Sequence, residues 1–221
     1  MIPLKDNIPS HTFPVVNITI ILLNVFVFLF EISLGTSRLN IFIYNYAFIP
    51  DLFFNHFPLL DSIKRLLFYM FIHGGFIHII GNMWFLYIFG DNVEDKIGHL
   101  QYLIFYLLGG IFSAVFQGLF SPTSNIPLIG ASGSVSAVLA AYVYFFPHAR
   151  ILTLVPIFLF ITIVNIPAVA FIVFWFFIQF FYGFVSLSAS IKGGVAWFAH
   201  IGGFIFGIIW VKYILRKRRW A

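Results

Sequence analysis

The sequence predicts an all-α integral membrane protein with six transmembrane helices. Its 221 residues are 62% hydrophobic and only 9% charged, too few charges to cover the surface of a water-soluble domain of this length. The apolar residues form continuous runs of about 20 residues, the length that a helix needs to cross the hydrocarbon core. The runs do not alternate with polar residues, which argues against a transmembrane β-barrel.

The six predicted spans form one domain, residues 1–221, with a core from about 13 to 215. The first apolar run is long enough to be a permanent span and lacks the cleavage site of a signal peptide. The last span is followed by a basic tail, residues 216–221. In order, the spans are residues 13–34, 72–90, 100–120, 132–146, 166–187 and 193–215.

Two apolar segments lie outside these spans. Residues 35–71 are too apolar and aromatic for a disordered linker, so we expect them to lie in or on the membrane surface. Residues 151–165 are short and interrupted by Pro156, and they are either a seventh span or an interfacial segment. We favour the interfacial interpretation, because a seventh span would place the two termini on opposite sides of the membrane.

The positive charges predict the topology. Six spans place both termini on one side, and the basic tail assigns that side to the cytoplasm. Eight of the twelve Lys and Arg residues then lie in the cytoplasm. The tail is better suited to anionic lipid than to nucleic acid. A short chain without a targeting segment predicts a prokaryotic cytoplasmic membrane. The four residues on the other side are Arg38, Lys64, Arg65 and Lys192.

Cysteine is absent from the chain, which excludes disulfides, thiolate metal sites and a cysteine nucleophile. His73, His78 and His200 could in principle bind a metal ion. They do not form the His-Glu-x-x-His pattern, and no carboxylate stands near them in the sequence. The sequence therefore predicts neither a metal site nor a cofactor.

The histidines are the conspicuous polar groups of the predicted spans. Such groups are costly in a membrane, so each raises a functional hypothesis. His78 and Asn82 lie four residues apart and therefore share one face of a helix. His73 lies upstream, near the mouth of the same helix. An interhelical hydrogen bond would explain the pair as well as catalysis does.

The stretch "LIGASGSVSA", residues 128–137, opens the fourth span with unusually small residues. Ser132, Ser136 and Ala140 repeat every four residues and form one face of the helix. Close helix packing would be the common explanation for "GASG" alone. The second explanation is that Ser132 is a nucleophile.

A matching face occurs in the sixth span, within "WFAHIGGFIFG". His200, Gly203 and Gly207 share this face, which is nearly bare of side chains and permits close approach of another helix. If the two small-residue faces meet, Ser132 lies against His200. For His200 alone, a buried histidine without a catalytic role would remain the preferred interpretation.

A serine beside a histidine supports nucleophilic catalysis. The imidazole takes the hydroxyl proton during attack on a carbonyl and returns it to the leaving amine. The oxyanion that forms needs preorganised donors. The backbone N–H of Ser132, at a helix start, and the side chains of His78 and Asn82 could supply them. A transporter or channel is the rival from another class, but the polar groups concentrate in one half of the membrane.

Taken together, these residues resemble the rhomboid family of intramembrane serine proteases. The resemblance is carried by four elements in order along nearly the whole chain. They are "RLLFYMFIHGGFIHIIGN" with Arg65, His73, His78 and Asn82; "FGDNVED" with Glu94; "GASG" with Gly130, Ser132 and Gly133; and "AHIGGFIFG" with His200, Gly203 and Gly207.

The resemblance implies a rhomboid-like six-helix bundle with a re-entrant loop, residues 121–129, before the fourth helix. It implies a Ser132–His200 dyad without a third acidic member, reached by water from the extracytoplasmic side. Arg65 would anchor the first long loop, and Glu94 would brace the inner end of the second span. The substrates implied are single-span membrane proteins, cleaved in or near the lipid bilayer.

One position departs from the family pattern. Some rhomboids have a tyrosine one turn after the serine, stacked on the catalytic histidine, and this chain has Ser136 there. Another group must therefore orient His200. An inactive rhomboid-like protein that binds membrane helices for quality control is the alternative function, but such proteins usually lack the serine or the histidine. Both are present here, which favours an active protease.

Overall fold

The computed structural model describes residues 1–56, 58–157, 160–189 and 196–218, and it describes their side chains except those of 157, 160, 182–189 and 215–218. The basic tail predicted for 216–221 lies outside the described side chains. The helices are α1 (Val15–Ser33), α2 (Gly35–Tyr46), α3 (Leu59–Phe68), α4 (Phe76–Phe85), α5 (Asp91–Ile97), α6 (His99–Phe120), α7 (Ser132–Phe145), α8 (Ala168–Ala189) and α9 (Trp197–Arg218). The strands are β1 (Ile2–Asp6), β2 (Arg150–Ile157) and β3 (Phe160–Pro167).

Several of these helices are suited to a bilayer. α1, α6 and Trp197–Ile214 of α9 are long and apolar enough to cross it, and Leu59–Phe71 with Phe76–Ile97, bent by 85°, could form a fourth crossing. α7 and Ala168–Phe181 of α8 are shorter apolar helices. The predicted helical membrane class is confirmed, whereas the arrangement of six spans stays a prediction.

Helix α7 forms the centre of the bundle, since every residue from 133 to 142 is buried. Its small side chains let α9 come into backbone contact. A Cβ on Gly203 would lie 2.0 Å from the carbonyl oxygen of Gly133, and a Cβ on Gly207 would lie 2.4 Å from that of Ala137. The glycine face of α9 expected from the sequence therefore packs on α7. The contacted surface of α7 is centred on Gly133 and Ala137, one position beyond the Ser132 and Ser136 of the predicted face, and only Ala140 is common to the contacts and the prediction.

The chain also contains a small antiparallel sheet that the sequence analysis missed. Its order is β1-β2-β3, and β2 and β3 form a hairpin from residues interpreted above as an interfacial segment. β-branched residues recur in this segment, which favours strands. The sheet lies beside the end of α7, where Tyr142 Oη donates to Asp6 Oδ2 (2.5 Å) and Arg150 N donates to Asn7 Oδ1 (2.7 Å).

We expect Asp6 to give the protein a pH-dependent stability. Burial raises the pKa of its carboxyl to about 6, so the folded chain holds this proton more tightly than the unfolded chain. The contribution to stability is therefore present below about pH 4, falls as the pH rises to about 6, and is absent above. After allowance for partial solvent exposure, the change is about 1 kcal/mol.

The variant Asp6→Asn removes this titration. Unfolding midpoints of the detergent-solubilised wild type and variant should diverge between pH 4 and pH 7, with the wild type losing stability relative to the variant. Parallel pH profiles of the two proteins would contradict the assignment.

Candidate active site

Ser132 is the first residue of α7. The loop before it is held in place by backbone hydrogen bonds to other parts of the chain. Phe48 and Leu128 form an antiparallel bridge (3.2 and 2.7 Å), and Gly130 N donates to Tyr69 O (3.0 Å). These bonds connect the loop before α7 with the segment after α2 and with the turn before α4. The Ser132 side chain is half-buried, and its backbone N–H lies in the helix turn where N–H groups lack helical partners.

Gly130 lets the backbone before Ser132 lie against His78 and Asn82, the predicted oxyanion donors. Its φ is +114°, a conformation that side chains rarely permit. A Cβ at this position would lie 2.5 Å from His78 Nε2 and 3.8 Å from Asn82 Nδ2. Only glycine therefore lets the loop before Ser132 lie against His78.

Hydrogen bonds around His78 and Asn82 define which atoms can donate. Gly74 N donates to His78 Nδ1 (3.4 Å), so the neutral ring carries its proton on Nε2, the atom beside Gly130. His73 Nδ1 lies 3.3 Å from Phe71 O, which only accepts, so His73 Nε2 accepts from Asn82 Nδ2 (3.1 Å). His78 Nε2–H and the second N–H of Asn82 are thus the side-chain donors at this point.

His200 lies in the first turns of α9 and is 7% exposed. The contacts of Gly203 with Gly133 and of Gly207 with Ala137 have the same spacing along the chain, so α7 and α9 run parallel. His200 is about one turn before Gly203 and therefore lies level with the start of α7. Both Ser132 and His200 are described, and no hydrogen bond joins their side chains; such bonds often form only with substrate bound.

Two polar residues to which the sequence analysis assigned no role contact the site histidines. Gln179 of α8 accepts a hydrogen bond at Oε1 from His200 Nδ1 (2.7 Å), and its side chain is buried. The Glu31 carboxylate of α1 accepts from His73 N (3.2 and 3.3 Å) and is 2% exposed. The sequence could have indicated a role for both residues, because each is a polar residue inside a predicted apolar span.

The remaining predicted residues lie around the site or at the far end of the bundle. Arg65 Nη1 donates to Tyr44 O (2.5 Å) and Ala47 O (3.1 Å), which ties α3 to the end of α2. Glu94 lies in α5, beside the start of α1. Its carboxylate accepts from the N–H groups of Val16 (2.9 Å) and Asn17 (2.7 Å) and so satisfies donors at the start of α1.

The sequence comparisons identify the family. The rhomboid-domain family model matches residues 61–217, and the chain belongs to the rhomboid family, which generally comprises serine proteases. Over 159 residues it is 31% identical to presenilin-associated rhomboid-like protein A, mitochondrial, of Danio rerio, covering 67% of this chain and 38% of the relative. It is 31% identical over 149 residues to RHOMBOID-like protein 4 of Arabidopsis thaliana, covering 67% and 33%.

Rhomboid protein 1, mitochondrial, of Saccharomyces cerevisiae is 28% identical over 149 residues, covering 65% of this chain and 40% of the relative. The chain thus spans about two fifths or less of the length of these relatives. Several relatives are named as mitochondrial, which contradicts the predicted prokaryotic cytoplasmic membrane. Composition and charge show that a chain enters a bilayer, but neither they nor the chain length indicate which membrane holds it.

Proposed function

We propose that this chain is an intramembrane serine endopeptidase that cleaves single-span membrane proteins. One observation supports the proposal most strongly: with the glycine contacts of α9 on α7, His200 lies level with the helix start that bears Ser132. Family membership alone supports a rhomboid-type membrane protein and not protease activity, because rhomboid-like proteins without activity share the fold. The juxtaposition of nucleophile, base and donors favours an enzyme.

The proposed reaction begins at Ser132. Its Oγ attacks the scissile carbonyl carbon as His200 takes the hydroxyl proton. His200 then gives this proton to the leaving amine, the C–N bond breaks, and an acyl-enzyme remains on Oγ. Water then attacks the acyl carbon as His200 takes its proton, the bond between the acyl carbon and Oγ breaks as His200 returns that proton to Oγ, and the new carboxyl terminus leaves. No acidic residue is required as a third member.

The oxyanion of each step would be bound beside Gly130. The donors would be the Ser132 backbone N–H at the start of α7, and His78 Nε2–H and an N–H of Asn82, whose nitrogens lie 2.5 and 3.8 Å from the position of a Cβ on Gly130. Fixed donors of this kind stabilise developing charge most strongly where water is excluded. His73, held by Glu31 through its backbone and by Asn82 through its ring, keeps Asn82 in place.

A labelling experiment tests this function without knowledge of the natural substrate. A fluorophosphonate forms an Oγ–P bond with an activated serine as fluoride leaves, and mass spectrometry of the purified full chain maps the adduct. We expect the adduct on Ser132, together with cleavage of at least one member of a panel of model single-span substrates in proteoliposomes.

Two results would refute the assignment. An adduct on Ser134 or Ser136 would mean that another hydroxyl is the nucleophile. Neither labelling nor cleavage across the panel, with substrate binding retained, would favour the alternative of a rhomboid-like protein that captures membrane helices. Wild-type labelling without cleavage would indicate that the panel lacks a suitable sequence, and it would leave Ser132 established as activated.

A further inference from the structure

A carboxamide inside an apolar helix requires an explanation. Gln179 lies in α8, whose other described residues are almost all apolar, and it is 7% exposed. A buried amide costs free energy unless it is hydrogen-bonded, and the cost is greater in lipid. The bond from His200 Nδ1 at 2.7 Å satisfies the Gln179 carbonyl oxygen and links α8 to α9.

This bond determines which nitrogen of His200 can act as a base. An amide oxygen only accepts hydrogen bonds, so Nδ1 carries the ring proton and Nε2 carries the lone pair. We propose that Gln179 is the positioning residue of the catalytic base: it fixes the tautomer and the orientation of His200 from the neighbouring helix. The inference rests on the proposed protease function and adds the residue that prepares its base.

The same face of α8 also packs against the ring. Trp175 precedes Gln179 by four residues, and its ring centroid lies 5.9 Å from that of His200. Trp197 lies perpendicular to the imidazole at 6.1 Å. Ser136, on the other hand, is fully buried and donates to the Ser132 carbonyl oxygen (2.6 Å). Orientation of His200 therefore comes from α8 and the start of α9, and not from position 136.

The tautomer can be measured directly. We would label the histidines of the full chain with ¹⁵N in lipid nanodiscs and assign His200 by its loss in the His200→Ala variant. Wild type should show a proton on Nδ1 of His200. In Gln179→Leu, which removes the acceptor at nearly equal size, the proton should move to Nε2, the tautomer that an unconstrained histidine prefers.

The kinetic readout separates positioning from folding. Gln179→Leu should lower kcat of cleavage about 10- to 100-fold and leave KM within about threefold, because ground-state binding of substrate is unchanged. Gln117→Leu is the matched control. Gln117 Oε1 accepts from Ala199 N (3.2 Å) and so contacts the same turn of α9 without touching the imidazole. Its kcat should stay within about threefold.

Each outcome decides the inference. A proton on Nε2 in wild type, an unchanged tautomer in Gln179→Leu, or an equal loss of kcat in both glutamine variants would overturn it. Failure of the proposed function is distinguishable: wild type would neither label at Ser132 nor cleave, while the nuclear magnetic resonance comparison would still report whether Gln179 holds the His200 ring.

Discussion

Ser132→Ala is expected to lower the cleavage rate by a factor of about 10⁴ or more. The alanine removes the Oγ that forms the acyl-enzyme, so His200 and the oxyanion donors have no nucleophile to activate. What remains is the catalysis that binding and charge stabilisation give to a direct attack by water. Initial rates with a model single-span substrate in proteoliposomes would measure the loss.

His200→Ala should produce a loss of the same size, and the double variant should lose little more. Residues that act as one unit are strongly non-additive in this way. Ser134→Ala is the matched control, because Ser134 lies two residues further along α7, is fully buried and contacts Met70 Sδ at 4.0 Å. Equal activity of the Ser132→Ala and Ser134→Ala variants would mean that Ser132 is not the nucleophile and only packs against neighbouring helices.

The packing of the Gly203 and Gly207 face of α9 against α7 could be predicted because its cause is local. Residues of one helix face recur every three or four positions, so a bare face such as that of Gly203 and Gly207 is visible in one sequence. The structure places this face against α7 with backbone contact. The common helix face of His78 and Asn82 followed from the same periodicity, and their role as donors stays a prediction.

What the sequence analysis missed depends on distant partners. In the sequence, the residues of β2 and β3 resemble one more apolar segment. The strand that completes the sheet, β1, lies at the N-terminal end of the chain, far from them in sequence. Gln179 is a single polar residue, and its hydrogen bond with His200 forms only because α8 lies beside α9. Glu31 was visible as an acid near the end of a span, but its partner, the N–H of His73, is fixed by tertiary packing.

The geometry of the proposed dyad depends on the contact between α7 and α9, which leads to a second large expected effect. A Cβ on Gly203 would lie 2.0 Å from the Gly133 carbonyl oxygen and 2.8 Å from Ser113 Oγ. The nearest obstacle is backbone, so a side-chain rotation cannot relieve the overlap and the helices must separate. Overpacking of this kind costs about 3 kcal/mol.

Gly203→Ala should therefore lower the unfolding midpoint in detergent by roughly 6–12 °C, using the scaling for a chain of this size. It should also reduce cleavage about 100-fold or more, because a displacement of α9 by about 1 Å moves His200 away from Ser132. Gly81→Ala is the matched control: Gly81 lies in α4, and a Cβ there meets nothing within 4 Å. If both alanines were equally tolerated, the glycine contact could not be what holds nucleophile and base together.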